Sequence, residues 1–234
     1  MFEINVKNSA DNSRKELYIY GDIVDDSWNF GWDDDPSVYP LNIRDMLKDC
    51  NGEPVDVHIN SGGGHMMAGM AIANMLKNYK GETTCYVDGI AASAASLIAF
   101  GCNKVVIPEN AYLMMHKPVS YCGGNADELR KTIEMLDVLQ DGAVALYVKK
   151  ALEGVTKEAI NNMVNAETWL TGNQAADYFN IKVTTELNAL NCSSALMTKY
   201  AHAPQSITNN ADKELERMRQ AVEIELELME VNNA

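Results

Sequence analysis

The sequence predicts an α/β fold in which helices cover a largely parallel sheet, and three observations support that fold class. Short apolar runs rich in β-branched residues recur along the first half of the chain, and helical stretches separate them. At 234 residues with 47% hydrophobic side chains, the chain can also bury a substantial core. Strands that alternate with helices favour a parallel sheet with covered faces. The predicted strands cover residues 17–23, 54–60, 84–87, 104–108 and 112–116.

Four helices are predicted between or after these strands. The first covers residues 64–78, where apolar side chains fall near one face, and the second covers residues 92–101. The longest begins at Asn125, a good N-cap residue with Glu128 three positions later, and runs to residue 151 with a break allowed near Gly142. Thr156 caps a shorter helix that ends near residue 164.

Length and composition predict one folded domain with appendages. The domain is expected to cover residues 1–188, because a second full domain does not fit into the chain. Residues 189–211 are rich in Asn, Ser, Ala and Thr and predict a flexible linker. Residues 212–231 carry a stripe of apolar side chains, which predicts an amphipathic helix that needs a partner surface.

Charge and cysteine usage exclude several classes of function. The formal net charge of -14 argues against a nucleic-acid partner, since phosphate backbones bind basic surfaces. No apolar run reaches membrane-spanning length, and residues 1–20 lack a leader pattern. The five cysteines are scattered without metal-binding spacing, which is typical of reduced thiols. We therefore expect a soluble, unexported cytoplasmic protein with no nucleic-acid or membrane partner.

An acidic stretch at residues 25–35 contains Trp28 and Trp32. It is interpreted as a surface loop, and two hypotheses remain open for its aromatic side chains. They form a contact site for another molecule, or they pack only against each other within the loop.

The glycine run Gly62-Gly63-Gly64 follows a predicted strand and opens a predicted helix. Backbone N–H groups in such a turn can converge on an anion at the helix N-terminus. A nucleotide-binding loop is disfavoured, because no Lys-Ser or Lys-Thr pair follows and the G-x-G-x-x-G pattern does not fit cleanly. Two interpretations of the glycine turn remain, namely that it packs closely against a neighbouring segment or that it forms an oxyanion hole. His65 lies beside the turn, where it could contact substrate.

Ser93 lies among small residues where a predicted strand gives way to a predicted helix. A hydroxyl there can project from a tight turn, and the positive helix end favours the alkoxide and a negative tetrahedral intermediate. On this pattern alone, the preferred interpretation is a small residue that packs between helices.

His116 supports the catalytic interpretation of Ser93. It ends an apolar strand just before Lys117-Pro118, where the strand must stop. Imidazole titrates near neutral pH, so a histidine there can take the serine proton and return it to a leaving amine. A third, acidic residue should orient this imidazole. Spacing alone does not select it from the 33 acidic residues.

With these residues and motifs, the sequence resembles the Clp peptidase family. Within that family it is most similar to the phage and prophage head maturation proteases. The resemblance extends from about residue 17 to residue 187. The segments that carry it are 59–72 (INSGGGHMMAGMAI), 86–99 (YVDGIAASAASLIA), 113–118 (LMMHKP), 124–131 (GNADELRK) and 167–179 (ETWLTGNQAADYF).

The resemblance implies a set of site residues and a fold. The family's serine falls on Ser93, its histidine on His116 and its third residue on Glu167, while its backbone oxyanion donors fall on Gly64 and Ala94. It also implies a spiral of β-β-α units, related to the crotonase fold, in which residues 125–151 form a protruding handle helix that interlocks two rings. No metal or cofactor is implied.

The sequence departs from cellular Clp subunits at three points, and the last of them favours the phage branch. Gly62 stands where those subunits usually have proline, and the turn tolerates this because glycine is conformationally permissive. Glu167 replaces their usual aspartate, so it holds the imidazole less rigidly. The chain before the first strand is short, and the acidic Trp28/Trp32 loop is unlike theirs.

The leading hypothesis is a serine endopeptidase encoded by a prophage that cleaves capsid or scaffold polypeptides during head assembly. The second is a cellular Clp proteolytic subunit that works with a separate ATP-dependent unfoldase, since the chain has no Walker A sequence. Two further hypotheses are a catalytically silent ring-forming scaffold protein and an acyl-CoA enzyme of the crotonase type. The expected assembly is a homo-oligomeric ring, either a heptamer or a double ring.

Overall fold

The computed structural model describes residues 7–8, 14–31, 35–185 and 195–204. Trp32 and the predicted helix at 212–231 lie outside the described residues. Residues 195–204 belong to the predicted linker, yet 195–199 form a short 3-10 helix that packs against the domain.

An eight-stranded sheet organises the domain, in the order β1-β2-β3-β4-β5-β8 with β6 and β7 off this path. The path is parallel from β2 to β8, and β1 is an antiparallel edge. The strands are β1 (Lys7–Asn8), β2 (Lys15–Tyr20), β3 (Val55–Ser61), β4 (Thr83–Ala92), β5 (Lys104–Pro108), β6 (Tyr112–Met115), β7 (Thr168–Thr171) and β8 (Lys182–Thr184). The predicted α/β fold class is confirmed.

Besides β3, strand β4 pairs with two different strands along its length, so the sheet branches there. Its first half pairs in parallel with β5, and its second half pairs in parallel with β6. Strand β6 then pairs with β7 in antiparallel fashion. The sequence predicted only residues 84–87 of β4, because Asp88 and Gly89 are poor strand residues. Asp88, a residue that is 7% exposed, is tolerated in the strand because its carboxylate accepts the hydroxyl of Tyr20 on β2 and lies 2.9 Å from the imidazole of His58 on β3.

Helices cover the sheet. They are α1 (Pro40–Asp49), α2 (Met66–Asn78), α3 (Ala94–Gly101), α4 (Ala126–Val148), α5 (Lys157–Asn165) and α6 (Gly172–Ala176). The bounds of α2 to α5 lie close to the predicted ones, whereas α1 and α6 were not predicted. A capping box formed by Asn125 and Glu128 opens α4, as the spacing predicted. The break allowed near Gly142 is absent. A glycine at an open helix position keeps its backbone hydrogen bonds, so it costs stability without ending the helix.

The main core lies between the helices and one face of the sheet. Alternate strand residues such as Val55, Val57 and Ile59 point into it, and helix α3 is buried along its whole length. A smaller apolar cluster lies apart from that core. It contains Ile90, Ala92, Met114 and Met197, with Tyr112, Trp169 and Tyr200 packed against it. Because Met197 comes from the 3-10 helix, residues beyond the last strand complete this second cluster.

Candidate active site

Ser93 occupies the tight junction between β4 and α3. Its backbone angles are φ 54 and ψ -122, which place a non-glycine residue in a rarely populated region. Such a conformation costs about 1–3 kcal/mol and persists only where the surroundings enforce it. Here the Ser93 N–H donates to the carbonyl of Met114 at 2.9 Å, and the buried helix α3 fixes the other side of the turn. The strained turn sets the direction of the hydroxyl.

His116 follows β6 directly, and its imidazole meets the Ser93 hydroxyl. The Nε2 atom lies 2.7 Å from Ser93 Oγ, which is hydrogen-bonding distance. The pairing of β4 with β6 explains the meeting, because Ala92 lies opposite Met114 and the ends of both strands coincide. Residues that are 23 positions apart in sequence are thereby brought into contact.

Burial controls the protonation of His116. It lowers the pKa of the imidazole below its usual value, and the negative charge of Glu167 opposes this shift without overcoming it. The imidazole is therefore mainly neutral near pH 7 and can accept a proton from Ser93.

Glu167 comes immediately before β7, in a left-handed conformation with φ 50. Since β7 pairs with β6 and Thr168 lies opposite Met115, the next pair in that register places Glu167 across from His116. The two residues share a cavity, but no hydrogen bond joins them among the described residues. Glu167 acts on the imidazole only through its charge in this arrangement.

The Glu167 carboxylate takes its hydrogen bonds from elsewhere. It accepts from the backbone N–H of His202 at 2.7 Å and that of Ala201 at 3.1 Å. The indole of Trp169 is a longer donor at 3.4 Å. Two of these donors belong to residues 195–204, which the sequence had assigned to a linker.

The glycine turn packs tightly beside Ser93. Gly63 and Gly64 have φ values of +97 and +139, which side chains rarely allow. A Cβ atom at Gly63 would lie 2.7 Å from the Ser93 Cβ, and one at Gly64 would collide with the carbonyl oxygen of Ile23. Both positions therefore require glycine for space as well as for conformation.

The two residues that the resemblance implies as backbone oxyanion donors, Gly64 and Ala94, lie beside Ser93. Ile23 donates to the carbonyl of Gly63 and accepts from the N–H of His65, so the N–H of Gly64 between them points away from Ile23. Ala94 is the first residue of α3, and the first N–H groups of a helix have no partner within it. Gly64 and Ala94 both line the cavity that contains Ser93.

His65 lies at the rim of the same cavity and has a structural role that sequence reasoning missed. Its Nδ1 atom caps α2 by accepting the N–H of Ala68 at 3.3 Å. The Asp25 carboxylate lies 3.8 Å from the same atom, which is beyond hydrogen-bonding distance but places the acidic loop beside the site. In that loop, Trp28 and Phe30 are 66% and 64% exposed.

Ser96 supports the turn that carries Ser93 from within α3. Its hydroxyl donates to the Ser93 carbonyl at 2.6 Å and also hydrogen-bonds the Tyr147 hydroxyl of α4 at 2.7 Å. Burial raises the pKa of the Tyr147 phenol well above its ordinary value, and the hydrogen bond with Ser96 opposes that shift. Tyr147 therefore stays neutral, and helix α4 is tied to the turn that carries Ser93.

The cavity has a volume of about 380 Å³. Ser93, His116 and Glu167 all line it, and Leu196, Lys199 and Tyr200 form part of its wall. Within the described ranges, no group of three or more His, Cys, Asp or Glu residues could hold a metal ion. In the same part of the chain, no helix is both long and apolar enough to span a lipid bilayer.

A model of the Clp protease family matches residues 46–182, which include the glycine turn, Ser93, His116 and Glu167. The chain belongs to the Clp protease family.

Individual members of the Clp protease family are distant in sequence. The ATP-dependent Clp protease proteolytic subunit 1 of Leifsonia xyli subsp. xyli is 31% identical over 131 residues, which cover 52% of this chain and 62% of that protein. The ATP-dependent Clp protease proteolytic subunit 2 of Corynebacterium glutamicum is 30% identical over 141 residues, which cover 59% of this chain and 66% of that protein. The chain thus spans less than two thirds of the length of these relatives.

A solved structure of a mutant ClpP1 from Listeria monocytogenes has the same fold. It superposes with a TM-score of 0.60 at 22% identity, over 73% of this chain and 91% of that one. The mixed sheet with helices on its face is therefore the fold of the Clp protease family. The 195–204 segment lies beyond the family match, which ends at residue 182.

Proposed function

We propose that the chain is a serine endopeptidase of the Clp type, with Ser93 as nucleophile and His116 as general base. The distance of 2.7 Å between Ser93 Oγ and His116 Nε2 carries this proposal. A neutral imidazole in contact with a serine hydroxyl at a strained strand-to-helix turn is the arrangement that activates an alcohol for acyl transfer.

The proposed reaction begins when His116 Nε2 takes the proton from Ser93 Oγ as the oxygen attacks a peptide carbonyl. A C–O bond forms, and the carbonyl oxygen becomes an anion that accepts the N–H groups of Gly64 and Ala94. The intermediate collapses as the C–N bond breaks, and His116 returns the proton to the leaving amine. Water then hydrolyses the acyl-enzyme by the same route.

Glu167 is proposed to stabilise the imidazolium that forms during this reaction. Its negative charge already opposes the lowering of the pKa of His116. A direct hydrogen bond to the imidazole would add orientation, and this requires Glu167 to exchange the backbone donors that it now accepts. Glu167→Ala is expected to lower the rate partially, because serine, base and oxyanion donors remain.

A fluorophosphonate probe tests the nucleophile directly. We expect an adduct on Ser93, located by peptide mass spectrometry, and none in Ser93→Ala. Peptide cleavage should fall by roughly 10⁴-fold or more in Ser93→Ala. We expect a similar factor in His116→Ala, because the serine and the histidine act together and losing either one removes the same step. Undiminished cleavage in Ser93→Ala would show that another residue is the nucleophile.

For the biological role, we propose maturation of a phage or prophage head, in which the enzyme cleaves capsid or scaffold polypeptides. The acidic loop supports this role, because Trp28 and Phe30 are exposed and Asp25 lies beside His65 at the rim of the site. Co-expression with the capsid protein encoded nearby should give a shortened capsid chain that Ser93→Ala does not produce. A genomic neighbourhood without portal and capsid genes would contradict it.

A cellular Clp proteolytic subunit is the second candidate. It is favoured by relatives that are named proteolytic subunits of an ATP-dependent protease. This role requires a separate unfoldase, so the purified chain should bind the Clp ATPase of its own organism in a pull-down. Degradation of a folded protein that depends on ATP and on that ATPase would establish this role instead of head maturation.

Both roles are proposed to use a ring of identical chains joined through α4. The helix exposes apolar side chains over its first two thirds, with Ile133 59% and Val138 71% exposed. Ile133→Asp should therefore reduce the oligomer size seen by native mass spectrometry. Lys131→Asp places the same side chain on a different side of the helix and should leave the assembly unchanged.

A further inference from the structure

The 195–204 segment packs along the candidate active site. Leu196, Lys199 and Tyr200 form part of the wall of the cavity that contains Ser93 and His116. A peptide carbonyl that approaches the serine has to enter this cavity. The segment therefore lies where a polypeptide substrate has to bind.

Met197 anchors the segment in an apolar pocket. Its side chain is completely buried against Ile90, Ala92 and Met114. Ala92 immediately precedes the candidate nucleophile, and Met114 lies two residues before the candidate base. The anchor is thus built on the two strands that hold the reacting side chains.

Tyr200 contacts the glycine turn and the imidazole. Its hydroxyl donates to the carbonyl of Gly62 at 2.5 Å. Its ring centroid lies 5.2 Å from that of His116 and 5.8 Å from that of Trp169, both with edge-to-face geometry. The tyrosine is therefore held between two parts of the site.

The next two residues bind the Glu167 carboxylate. The N–H of Ala201 donates to one oxygen, and the N–H of His202 donates to the other at 2.7 Å. Bonds from backbone N–H groups to a carboxylate are charge-assisted and strong. Because both oxygens are engaged, the geometry explains why Glu167 makes no direct bond to His116.

We propose that the 195–204 segment is an intramolecular ligand of a peptide-binding groove and that it withholds Glu167 from His116 until it leaves. The groove consists of the Gly62 carbonyl, the Glu167 carboxylate and the apolar pocket that holds Met197. It takes a peptide with an apolar residue three positions before a tyrosine. The inference rests on the proposed peptidase function and adds a regulatory step to it.

Release of the segment has two effects. It opens one wall of the cavity to polypeptides, and it frees the carboxylate of Glu167 to turn toward the imidazole. A carboxylate that hydrogen-bonds a histidine raises the pKa of the histidine. Other titratable groups around the imidazole are His65, Tyr121, Tyr147, Lys199 and Tyr200, which line the cavity. The ring of His202 also faces the Glu167 carboxylate, with its Nδ1 atom 4.0 Å from Oε1.

The first test measures how fast the fluorophosphonate probe labels Ser93 in the full chain. Met197→Glu puts a carboxylate into the apolar pocket and should release the segment, because burying an unpaired charge is costly. We expect labelling at least about fivefold faster, as the docked state changes from the major to the minor population. The matched control is Met67→Glu, at a methionine that is 53% exposed, and it should label at the wild-type rate.

A second variant tests the contact with Glu167. His202→Pro removes the N–H that donates to the carboxylate at 2.7 Å. We expect faster labelling and a shift of the midpoint of its pH profile to higher pH, because the freed carboxylate raises the pKa of His116. A purely structural role of the segment would leave this midpoint in place. This variant also decides the question if Met197→Glu does not fold.

A peptide added in trans completes the test. The synthetic peptide ALMTKYAHAP, which copies residues 195–204, should slow the labelling of Met197→Glu, whereas the same peptide with Glu in place of Met should not. Equal labelling of Ser93 in wild type and both variants overturns the proposal but leaves the peptidase function. Slower labelling in both variants also overturns it, since the segment would then belong to the working site. An unlabelled Ser93 in every variant removes the peptidase function itself.

Discussion

At the residue scale, the candidate site depends on close approach between the turn that carries Ser93 and the glycine turn. Ser93 adopts a positive φ because its N–H is bonded to Met114 and its helix is buried. Gly63 packs against it with no room for a side chain. The absence of a side chain at position 63 is thus a steric requirement of the turn that carries Ser93.

Gly63→Ala is expected to damage the site. Its Cβ would lie 2.6 Å from the Ala92 carbonyl oxygen, at a backbone angle of φ +97. We expect a loss of about 1–3 kcal/mol in the free energy of unfolding, together with slower Ser93 labelling. Urea denaturation measures the change in the free energy of unfolding. The control is Gly142→Ala, which meets open space within helix α4 and should stabilise the protein by about 0.5–1 kcal/mol. Equal effects of the two substitutions would contradict the packing shown here.

The pH dependence of Ser93 labelling reports on His116. Only the neutral imidazole accepts the serine proton, so the rate should fall as the pH drops through the pKa of His116. Burial lowers that pKa, so the midpoint should lie below the usual histidine value of 6.5. Glu167→Gln removes the charge that opposes the shift and should move the midpoint lower still. Glu153→Gln, at an exposed carboxylate, should not move it, and a higher midpoint in Glu167→Gln would contradict this assignment.

At the element scale, strands β4, β6 and β7 assemble the site because each places one residue at its end. Ser93 follows β4, His116 follows β6 and Glu167 precedes β7. The parallel and antiparallel pairings bring these ends together. Strand register therefore does more to build this site than proximity in sequence.

Strands β2, β3 and β4 carry a second group of polar side chains away from the site. The ring of His58 stacks between Tyr18 and Tyr86, and its Nδ1 atom lies 2.9 Å from the Asp88 carboxylate. Burial disfavours the charged imidazole, but the hydrogen bond and charge of Asp88 outweigh it, so the pKa of His58 is raised. The same carboxylate accepts the hydroxyl of Tyr20 at 2.6 Å.

The interaction between His58 and Asp88 predicts that the free energy of unfolding depends on pH. Because the folded pKa of His58 lies above its unfolded value, the contribution is fully present below the unfolded pKa of about 6.5. It is lost as the pH rises through the folded pKa. Asp88→Asn should remove most of this dependence, as measured by urea unfolding at pH 6 and at a pH above the folded value. A wild-type protein that grows more stable over that range, relative to the variant, would contradict the sign.

At the scale of the whole molecule, the main core encloses most of the cysteines that the structure describes. Cys50, Cys85 and Cys102 are buried within that core, whereas Cys122 is exposed. Burial raises the pKa of the Cys85 thiol well above its ordinary value. Thiolates are the reactive species, so the core cysteines should be inert in the folded protein.

A thiol reagent can check this arrangement. Cys192 lies outside the described residues, so the experiment uses a Cys192→Ser background. We expect one thiol to react rapidly in the native protein and three more only after unfolding in guanidinium. Cys122→Ser should abolish the rapid phase. More than one rapid thiol in the native protein would mean that the core is open.

The sequence by itself determined the α/β class and helices α2 to α5, and it singled out Ser93 and His116 as candidate site residues. Periodicity and capping are local properties, so Asn125 and Glu128 indicated the start of α4 correctly. The family resemblance, carried by short motifs, supplied Glu167. The strands β1, β7 and β8 and the helix α6 were missed because a few residues give too weak a periodic signal. The ten-residue helix α1 was also missed, and its N-cap residue Tyr39 makes no side-chain capping hydrogen bond that would mark its start.

Only the tertiary structure decided what Glu167 contacts and what the 195–204 segment does. A linker composition predicts the absence of a core, but Met197 enters a pocket made by residues that lie far away in sequence. The distance of 2.7 Å between Ser93 and His116 likewise depends on strand register, which local sequence does not encode. Contacts of long sequence separation are set by the packing of the whole domain, and for that reason the state of this site could not be read from its motifs.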